Sequence, residues 1–540
     1  MTFDFIIVGA GSAGCILANR LSQSDRYSVL LLEAGGKDSS YWFKLPLGFA
    51  KTYANPKYNW MYHSEPQAQL AGRRLYAPRG KVQGGSGAIN AMIYVRGQPH
   101  DFDDWQAAGN PGWGYRDLLP YFKKLESHPL GDTAFHSASG PIGISQMRQQ
   151  AHPICDDYLE ACRQMGYPLN DDFNGAQFEG AGIYDANIRN GRRDSSSAAY
   201  LHPALPRPNL KLEYHALAER ILFDESKRAT AVAVRQHGVS RVFKARREVI
   251  VAAGAVDSPK LLQLSGVADA ALLASHAIPL MHHLPAVGRN LQDHLCASFY
   301  FKANRKTLND DLGSLGGQLK AGLQYLFKRS GPLALSVNQA GGFFKGTDQE
   351  QHPNLQLYFN PLSYAVPNNP QAKLKPDPYS GFLLFFNACR PSSRGSVQIA
   401  ANDVMLPPRI QPNYLSTQKD VDEAIQGCRL IRRLAATPAL QRITAQQLRP
   451  AASVTDAAGL LQFFREQAGS IYHLCGSCAM GPDPRTAVVS STLKVHGMAG
   501  LRVVDASIFP NITSANINAA VMMVAEKGAE QILVEHDGLA

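Results

Sequence analysis

The spacing of apolar positions changes several times along the chain, and each change marks an element. FDFIIVGAGSAGCILANRL opens on a mostly apolar run, residues 3–8, interrupted only by Asp4, which reads as a buried strand. A glycine turn follows, then a helix beginning near Ser12. YSVLLLEAG repeats the buried-strand pattern and ends on Glu33. NLKLEYHALAERILFDESKRATAVAV (209–234) reads as strands joined by a charged turn, and REVIVAAGAVDSPKLLQLSGV (247–267) returns to strand, small-residue turn and helix. From 298 to 465 the pattern shifts to strand-like runs, NLQLYFNP (354–361) and SGFLLFFNACR (380–390), mixed with loops such as AVPNNPQAKLKPDP (365–378). VVDASIFPNITSANINAAVMMVAEKGAEQIL then predicts strand, loop and an amphipathic helix through about Leu533, with Ser514 or Asn516 as its cap. Alternating β and α patterns predict an α/β doubly wound sheet, and the inserted runs predict a second, sheet-and-helix domain.

The bulk numbers narrow the class without naming it. At 540 residues the chain is too long for one small core, and 45% hydrophobic with 18% charged residues suits a globular enzyme. The net charge of +10 is scattered, densest in RRLYAPRGK (73–81) and RVFKARR (241–247), so nucleic acid is not an expected partner. Weak attraction to an anionic membrane surface stays open. Eight cysteines in such a chain do not make a disulfide scaffold. MTFDFIIVGAG enters a strand directly, with no signal-peptide pattern before it, and no run of about 20 uninterrupted apolar residues reads as a spanning helix. The expected location is the cytoplasm, with peripheral association at the inner membrane face as the alternative.

Chemistry appears first at Gly9-x-Gly11-x-x-Gly14. The first glycine permits a tight turn and the second lets backbone approach a pyrophosphate. The third lets helix pack on strand, while the helix N-terminus favours phosphate charge. Glu33 ends the second strand about 20 residues on, where an acid meets a ribose hydroxyl. These residues predict a dinucleotide site without separating NAD from FAD. PRGKVQGGSGAINAMIYVRG (78–97) adds Gly84, Gly85 and Gly87, a backbone able to lie against a planar or anionic ligand, and Asn90, a buried amide in need of a partner. SIYHLCGSCAMG (470–481) sets His473 ahead of a Cys475-x-x-Cys478 pair. Alone it supports a metal site, a redox dithiol or a catalytic base; a structural zinc site wants a second ligand pair, which the chain does not supply at conventional spacing.

GGSGAINAMIYVRG resembles the first signature of the glucose–methanol–choline (GMC) oxidoreductases, a family of FAD enzymes, and GAVDSPKLLQLSGV (254–267) resembles the second, with Ala268 where the family usually has glycine. DFDDWQAAGNPGWGYRDLLPYFKKLE (101–126), NLQDH (290–294), QPNYLS (411–416), YHLCGSCAMG (472–481) and LRVVDASIFP (501–510) are similar to further family blocks, in the family's order, the first of them most like the bacterial alcohol and choline dehydrogenases. The resemblance implies a discontinuous Rossmann-like FAD domain (1–155, 207–297 and 466–540) with an inserted substrate domain on an antiparallel sheet (156–206 and 298–465). It implies His473 as the base that takes the substrate's hydroxyl proton and Asn516 as its partner, with Asn518 the competing position; both thiols then read as packing groups. It implies FAD contacts from Gly9, Gly11, Ser12, Ala13, Gly14, Glu33, Ala34, Gly84, Gly85, Ser86, Asn90, Ala91, Ala218, Asp505, Ala506, Asn516 and Ile517, and hydride transfer to flavin N5. Where some members attach FAD through a histidine, this chain has Ile89, so non-covalent FAD is expected. A histidine's ordinary pKa suits the base.

Substrate is the less determined part. Phe343, Phe344, Tyr358, Phe359, Phe385 and Phe386 read either as core or as the wall of a pocket for a neutral primary alcohol. A quaternary ammonium would call for a carboxylate or an aromatic cage. A quinone or carrier is the expected electron acceptor. Oxygen, choline as substrate, and non-redox lyase chemistry of the hydroxynitrile type are the alternatives.

Overall fold

The structure, a computed structural model, describes residues 1–364 and 374–538. Two sheets organise it, each with its own core. The first grows around the N-terminal strand Thr2–Val8, in which Phe5, Ile6, Ile7 and Val8 are buried. Its order is Leu210–Glu213, Val29–Leu32, Thr2–Val8, Val239–Val251, Ala229–Gln236, Ala216–Phe223, with Leu501–Val503 pairing beside Val239–Val251. The central pairs are parallel and the last three strands antiparallel. A parallel sheet is buried on both faces and needs helical crossovers. Helix Ser12–Leu21 is the first of these, and the C-terminal helix Asn518–Asp537 packs against it. The two ends of the chain are joined there by Ser12 Oγ donating to Asn518 Oδ1 (2.8 Å) and by Arg20 paired with buried Glu526 (2.7 Å).

The second sheet is antiparallel throughout, in the order Thr444–Arg449, Leu295–Ala303, Gly381–Ala388, Leu355–Asn360, Ala340–Phe344, Gly180–Ile183, with Gly469–Ser470 pairing onto Leu295–Ala303. Helices Ile154–Gln164, Gln418–Ala435 and Ala457–Gln467 contribute to the same core. The α/β class with a second antiparallel unit is therefore the observed architecture. Strands Leu295–Ala303 and Gly469–Ser470 straddle or pass the expected edges at 297/298 and 465/466.

Two local expectations need correction, and a third is comparable only in part. The C-terminal helix begins at Asn518 and continues to Asp537, beyond Leu533. Its N-cap residue is Ile517, without a side-chain cap. Ser514 is diverted to Asp101 (Oγ to Oδ1, 2.7 Å) and Asn516 to His473, so both hydroxyl and amide are spent elsewhere. Of the loop expected over 365–378, residues 365–373 lie outside the described residues.

Candidate active site

A cavity of about 400 Å³ runs from the glycine turn of the first sheet to the inner face of the second. Its dinucleotide end is a backbone cradle. Gly9 has φ +104°, and a Cβ there would sit 2.5 Å from the Ala252 carbonyl oxygen; a Cβ on Gly14 would sit 1.8 Å from the Gly9 oxygen. Gly11 differs, because the nearest atom to a Cβ there is Gly85 Cα at 3.9 Å: its open side faces the cavity. Helix Ser12–Leu21 has no side-chain cap, so its first N–H groups point free toward the same space. This is the geometry an anionic pyrophosphate requires. Glu33 is buried at the cavity wall, its Oε2 accepting from Ala10 N (3.0 Å) and its Oε1 from Gly35 N (2.7 Å); burial raises its pKa. The uncapped N-terminus of Asn518–Asp537 reaches the cavity next to that of helix Ser12–Leu21, joined to it through Ser12 Oγ and Asn518 Oδ1. Two uncapped helix ends and a side-chain-free turn fit FAD.

Of the residues expected at the site, Gly9, Gly11, Ser12, Ala13, Glu33, Ala34, Gly85, Ser86, Asn90, Ala91, Ala218, His473, Asp505, Ala506, Asn516 and Ile517 all line this cavity. Gly14 and Gly84 do not: Gly14 lets the helix meet the strand, and Gly84, at φ +88°, shapes the turn by donating to the Ala10 carbonyl (2.7 Å). Asn90 has its partner in Arg193, whose Nη1 donates to Asn90 Oδ1 (2.6 Å). Burial lowers the Arg193 pKa to about 9.

At the other end, His473 is built from long-range contacts. Its backbone N–H donates to Asp293 Oδ1 (2.7 Å), and Asp293 Oδ2 accepts from Ser470 and Tyr414 (both 2.5 Å). The preceding Tyr472 is held at φ +73°, a strained conformation for a non-glycine residue, by Ser470 Oγ on its N–H (2.8 Å) and by Arg79 on its carbonyl. The ring faces His294 Nδ1 through its own Nδ1 (2.8 Å), and His294 Nε2 faces the Cys389 carbonyl (2.8 Å). A carbonyl only accepts, so His294 carries its proton on Nε2. Burial lowers the His294 pKa to about 4, which leaves its Nδ1 bare. His473 must then donate from Nδ1, and its Nε2 presents a lone pair. That nitrogen lies 3.2 Å from Asn516 Nδ2, and the amide is oriented by Gln356 Nε2 donating to Asn516 Oδ1 (3.2 Å). Burial, then neighbouring His294 and Arg79, hold the His473 pKa well below the ordinary value. The arrangement can accept one proton at one defined atom beside one defined donor.

Asn518, the competing position, bonds to Ser12 instead. Cys475 and Cys478 are fully buried, and burial pushes both thiols well up, away from the thiolate form a metal or exchange reaction uses. His294 and Gln356 carried no expectation. His294 stands within NLQDH and Gln356 is the polar interruption of a buried strand, which are weak signals without the contacts. Tyr358 and Phe385 reach the cavity, stacked at 4.5 Å, whereas Phe343, Phe344, Phe359 and Phe386 are packed in the core.

Two family models, each described as GMC oxidoreductase, match residues 3–296 and 391–525. The chain is 39% identical over 542 residues to the mitochondrial choline dehydrogenase of Homo sapiens, covering 98% of this chain and 89% of that one. It is 38% identical over 542 residues to an alcohol dehydrogenase [acceptor] of Pseudomonas putida, covering 99% and 96%. The crystal structure of pyridoxine 4-oxidase from Mesorbium loti superposes with a TM-score of 0.88 at 30% identity, covering 98% of each chain.

Proposed function

Since the chain belongs to the GMC oxidoreductases, and so is an FAD enzyme acting on CH–OH groups, we propose that it oxidises a neutral primary alcohol to the aldehyde, passing electrons to a quinone or protein carrier. Segments 1–155, 207–297 and 466–540 are on this reading the FAD domain and the rest the substrate domain. His473 takes the hydroxyl proton on Nε2, and Asn516 donates to the oxygen as it gains negative charge. His294 holds the base in the required tautomer. FAD, when bound, supplies the hydride acceptor for the carbinol carbon. Ile89 at the cavity wall offers no nucleophile for a covalent link to it.

The observation that carries the substrate class is the lining contributed by the second sheet: Cys296, Ser298, Tyr300, Tyr358, Leu383 and Phe385 include no carboxylate. The acids in the lining, Glu33, Asp257 and Asp505, all belong to the dinucleotide side, and Arg79 adds a cation that disfavours His473 protonation and a cationic substrate alike. Choline is the second reading, favoured by the tyrosines at this end (Tyr53, Tyr300, Tyr358, Tyr364 and Tyr472), whose faces suit a quaternary ammonium.

Mixing the yellow holoenzyme anaerobically with straight-chain and aromatic primary alcohols and with choline tests this directly. Bleaching of the flavin absorbance by the alcohols, at least about tenfold faster than by choline, is expected. Added soluble quinone should then restore the oxidised spectrum faster than air. Bleaching by choline alone would select the second reading, and a flavin that nothing bleaches would sink the redox assignment of this site.

A further inference from the structure

We propose that helix Leu315–Lys328 is a docking element that seats the protein on an anionic lipid surface. A helix of a water-exposed fold normally buries its one apolar face. This one buries Ala321 and Tyr325, with Tyr325 packed on Leu45 and Ala334. Its other side is also apolar: Leu315, Leu319, Leu323, Leu326 and Phe327 recur at helical spacing and are 86%, 65%, 47%, 58% and 77% exposed. Five large apolar side chains in one stripe are a contiguous patch of the kind that marks an interaction surface.

Charge identifies the occupant. Between residues 312 and 347 the chain has Lys320, Lys328, Arg329 and Lys345 and not one acid. Residues 39–64 have Lys44, Lys51 and Lys57, again without an acid. Leu45 on Tyr325 brings this second cationic run beside the helix, and Lys44, Lys51, Lys320 and Lys328 are exposed. Of the two acids just before this run, Asp310 is engaged by Ser380 and Thr307 and Asp311 is exposed, against seven cations in the two runs together. A second copy docked about a two-fold axis would set these same cations against themselves. An anionic bilayer instead accepts the leucine stripe at the headgroup boundary and supplies the counter-charge. Exposed Tyr41 and Trp42 adjoin the helix, ring types that favour that boundary. At 14 residues the helix lies in the surface plane, and no helix among the described residues is long and apolar enough to cross. The segment just before it packs Leu308 and Leu312 with Phe49 and Tyr364, which also line the catalytic cavity, so docking brings that wall next to lipid.

Co-sedimentation of the FAD-loaded full chain with vesicles of phosphatidylcholine plus phosphatidylglycerol, and with phosphatidylcholine alone, tests the proposal whatever the enzyme oxidises. The protein should pellet with the anionic vesicles only, and less so as salt rises. Leu323→Glu/Phe327→Glu should weaken binding on the order of a hundredfold. Lys320→Glu/Lys328→Glu, which leaves the stripe intact, should weaken it by about fivefold or more per cation. Both variants should keep wild-type flavin absorbance, melting temperature and turnover with a soluble dye acceptor. Wild type left in the supernatant, or the Leu323→Glu/Phe327→Glu protein pelleting like wild type, would overturn the inference. So would light scattering that shows a wild-type dimer broken by that variant, since the stripe would then belong to a second copy.

Discussion

A histidine acts as a base only through a nitrogen that carries no proton, so its tautomer matters as much as its pKa. Here the Cys389 carbonyl sets His294, and His294 sets His473. His473→Ala should retain FAD and slow flavin reduction by about 10²–10⁴-fold in anaerobic stopped flow. His294→Leu removes the acceptor for His473 Nδ1 and should lower kcat about tenfold with little change in KM. His294→Gln, whose amide can donate to Cys389 and accept from His473, should restore most of that loss; equal damage from both variants would reduce His294 to a packing role. Because the His473 pKa is depressed, the base form is lost only as pH falls through that lowered value, so kcat/KM should stay level from pH 8 to below about 6.5. An acid limb above 6.5 would contradict the geometry. His473 was legible because its block, YHLCGSCAMG, is local and resembles a family block, the stretch alone leaving a metal site, a dithiol and a base open. Its supports were not, since His294 lies 179 residues away and Gln356 lies 160 from Asn516, distances that no periodicity registers.

Elements were legible where one face differed from the other. The strand–turn–helix at the N-terminus, with its glycine fingerprint, could be read directly because each glycine answers a separate steric demand. The two inner strands of the second sheet could not be divided into pocket and core, because the pocket face mixes the amides Gln356, Asn360 and Asn387 with large apolar residues as bulky as those of the core face. Gln356 and Tyr358 turn to one side with Leu383 and Phe385, while Leu357, Phe359, Phe382 and Phe386 turn to the core, a two-residue alternation masked by the aromatic and aliphatic residues on both sides. The same steric reasoning separates two glycines of the fingerprint. Gly11 has φ −78°, which alanine adopts freely, and has open space around a Cβ; Gly14 has none. Gly11→Ala should therefore melt within about 2 °C of wild type as apoprotein yet lose FAD, since the methyl takes the volume needed for close backbone approach. Gly14→Ala should lower the melting temperature of the apoprotein itself by several degrees, having to part helix from strand. Calorimetry of both apoproteins, with flavin absorbance after reconstitution, distinguishes them. Identical behaviour would refute the division of roles.

At the scale of the whole molecule the two cores are joined by a buried ionic cluster rather than by apolar packing alone. Glu126 follows helix Tyr115–Leu125, whose Leu118, Phe122 and Leu125 belong to the first core, and Asp172 precedes Phe173 of the second. His136 spans them, with Nδ1 at 2.8 Å from Glu126 Oε1 and Nε2 at 2.9 Å from Asp172 Oδ2. Its ring stacks on His128 at 4.0 Å, His128 reaches Asp185 at 2.9 Å, and Arg96 lies 2.8 Å from Glu126. Burial opposes charge on His136, but the hydrogen bonds its ring donates to Asp172 and Glu126 outweigh it and raise the pKa to about 9. A histidine whose folded pKa is raised binds its proton more tightly folded than unfolded. The stability this confers is complete below the unfolded value near 6.5 and is lost as pH rises through about 9. Thermal melts should therefore fall by several degrees between pH 6.5 and 9.5, beyond the drift of a variant that lacks the group. His136→Gln should melt well below wild type at pH 6.5 because half-buried Asp172 and buried Glu126 lose a charged partner, Glu126 keeping only Arg96, and the gap should close as the pH passes 9. A gap of constant size across that range would mean that His136 contributes shape and not charge to the joint.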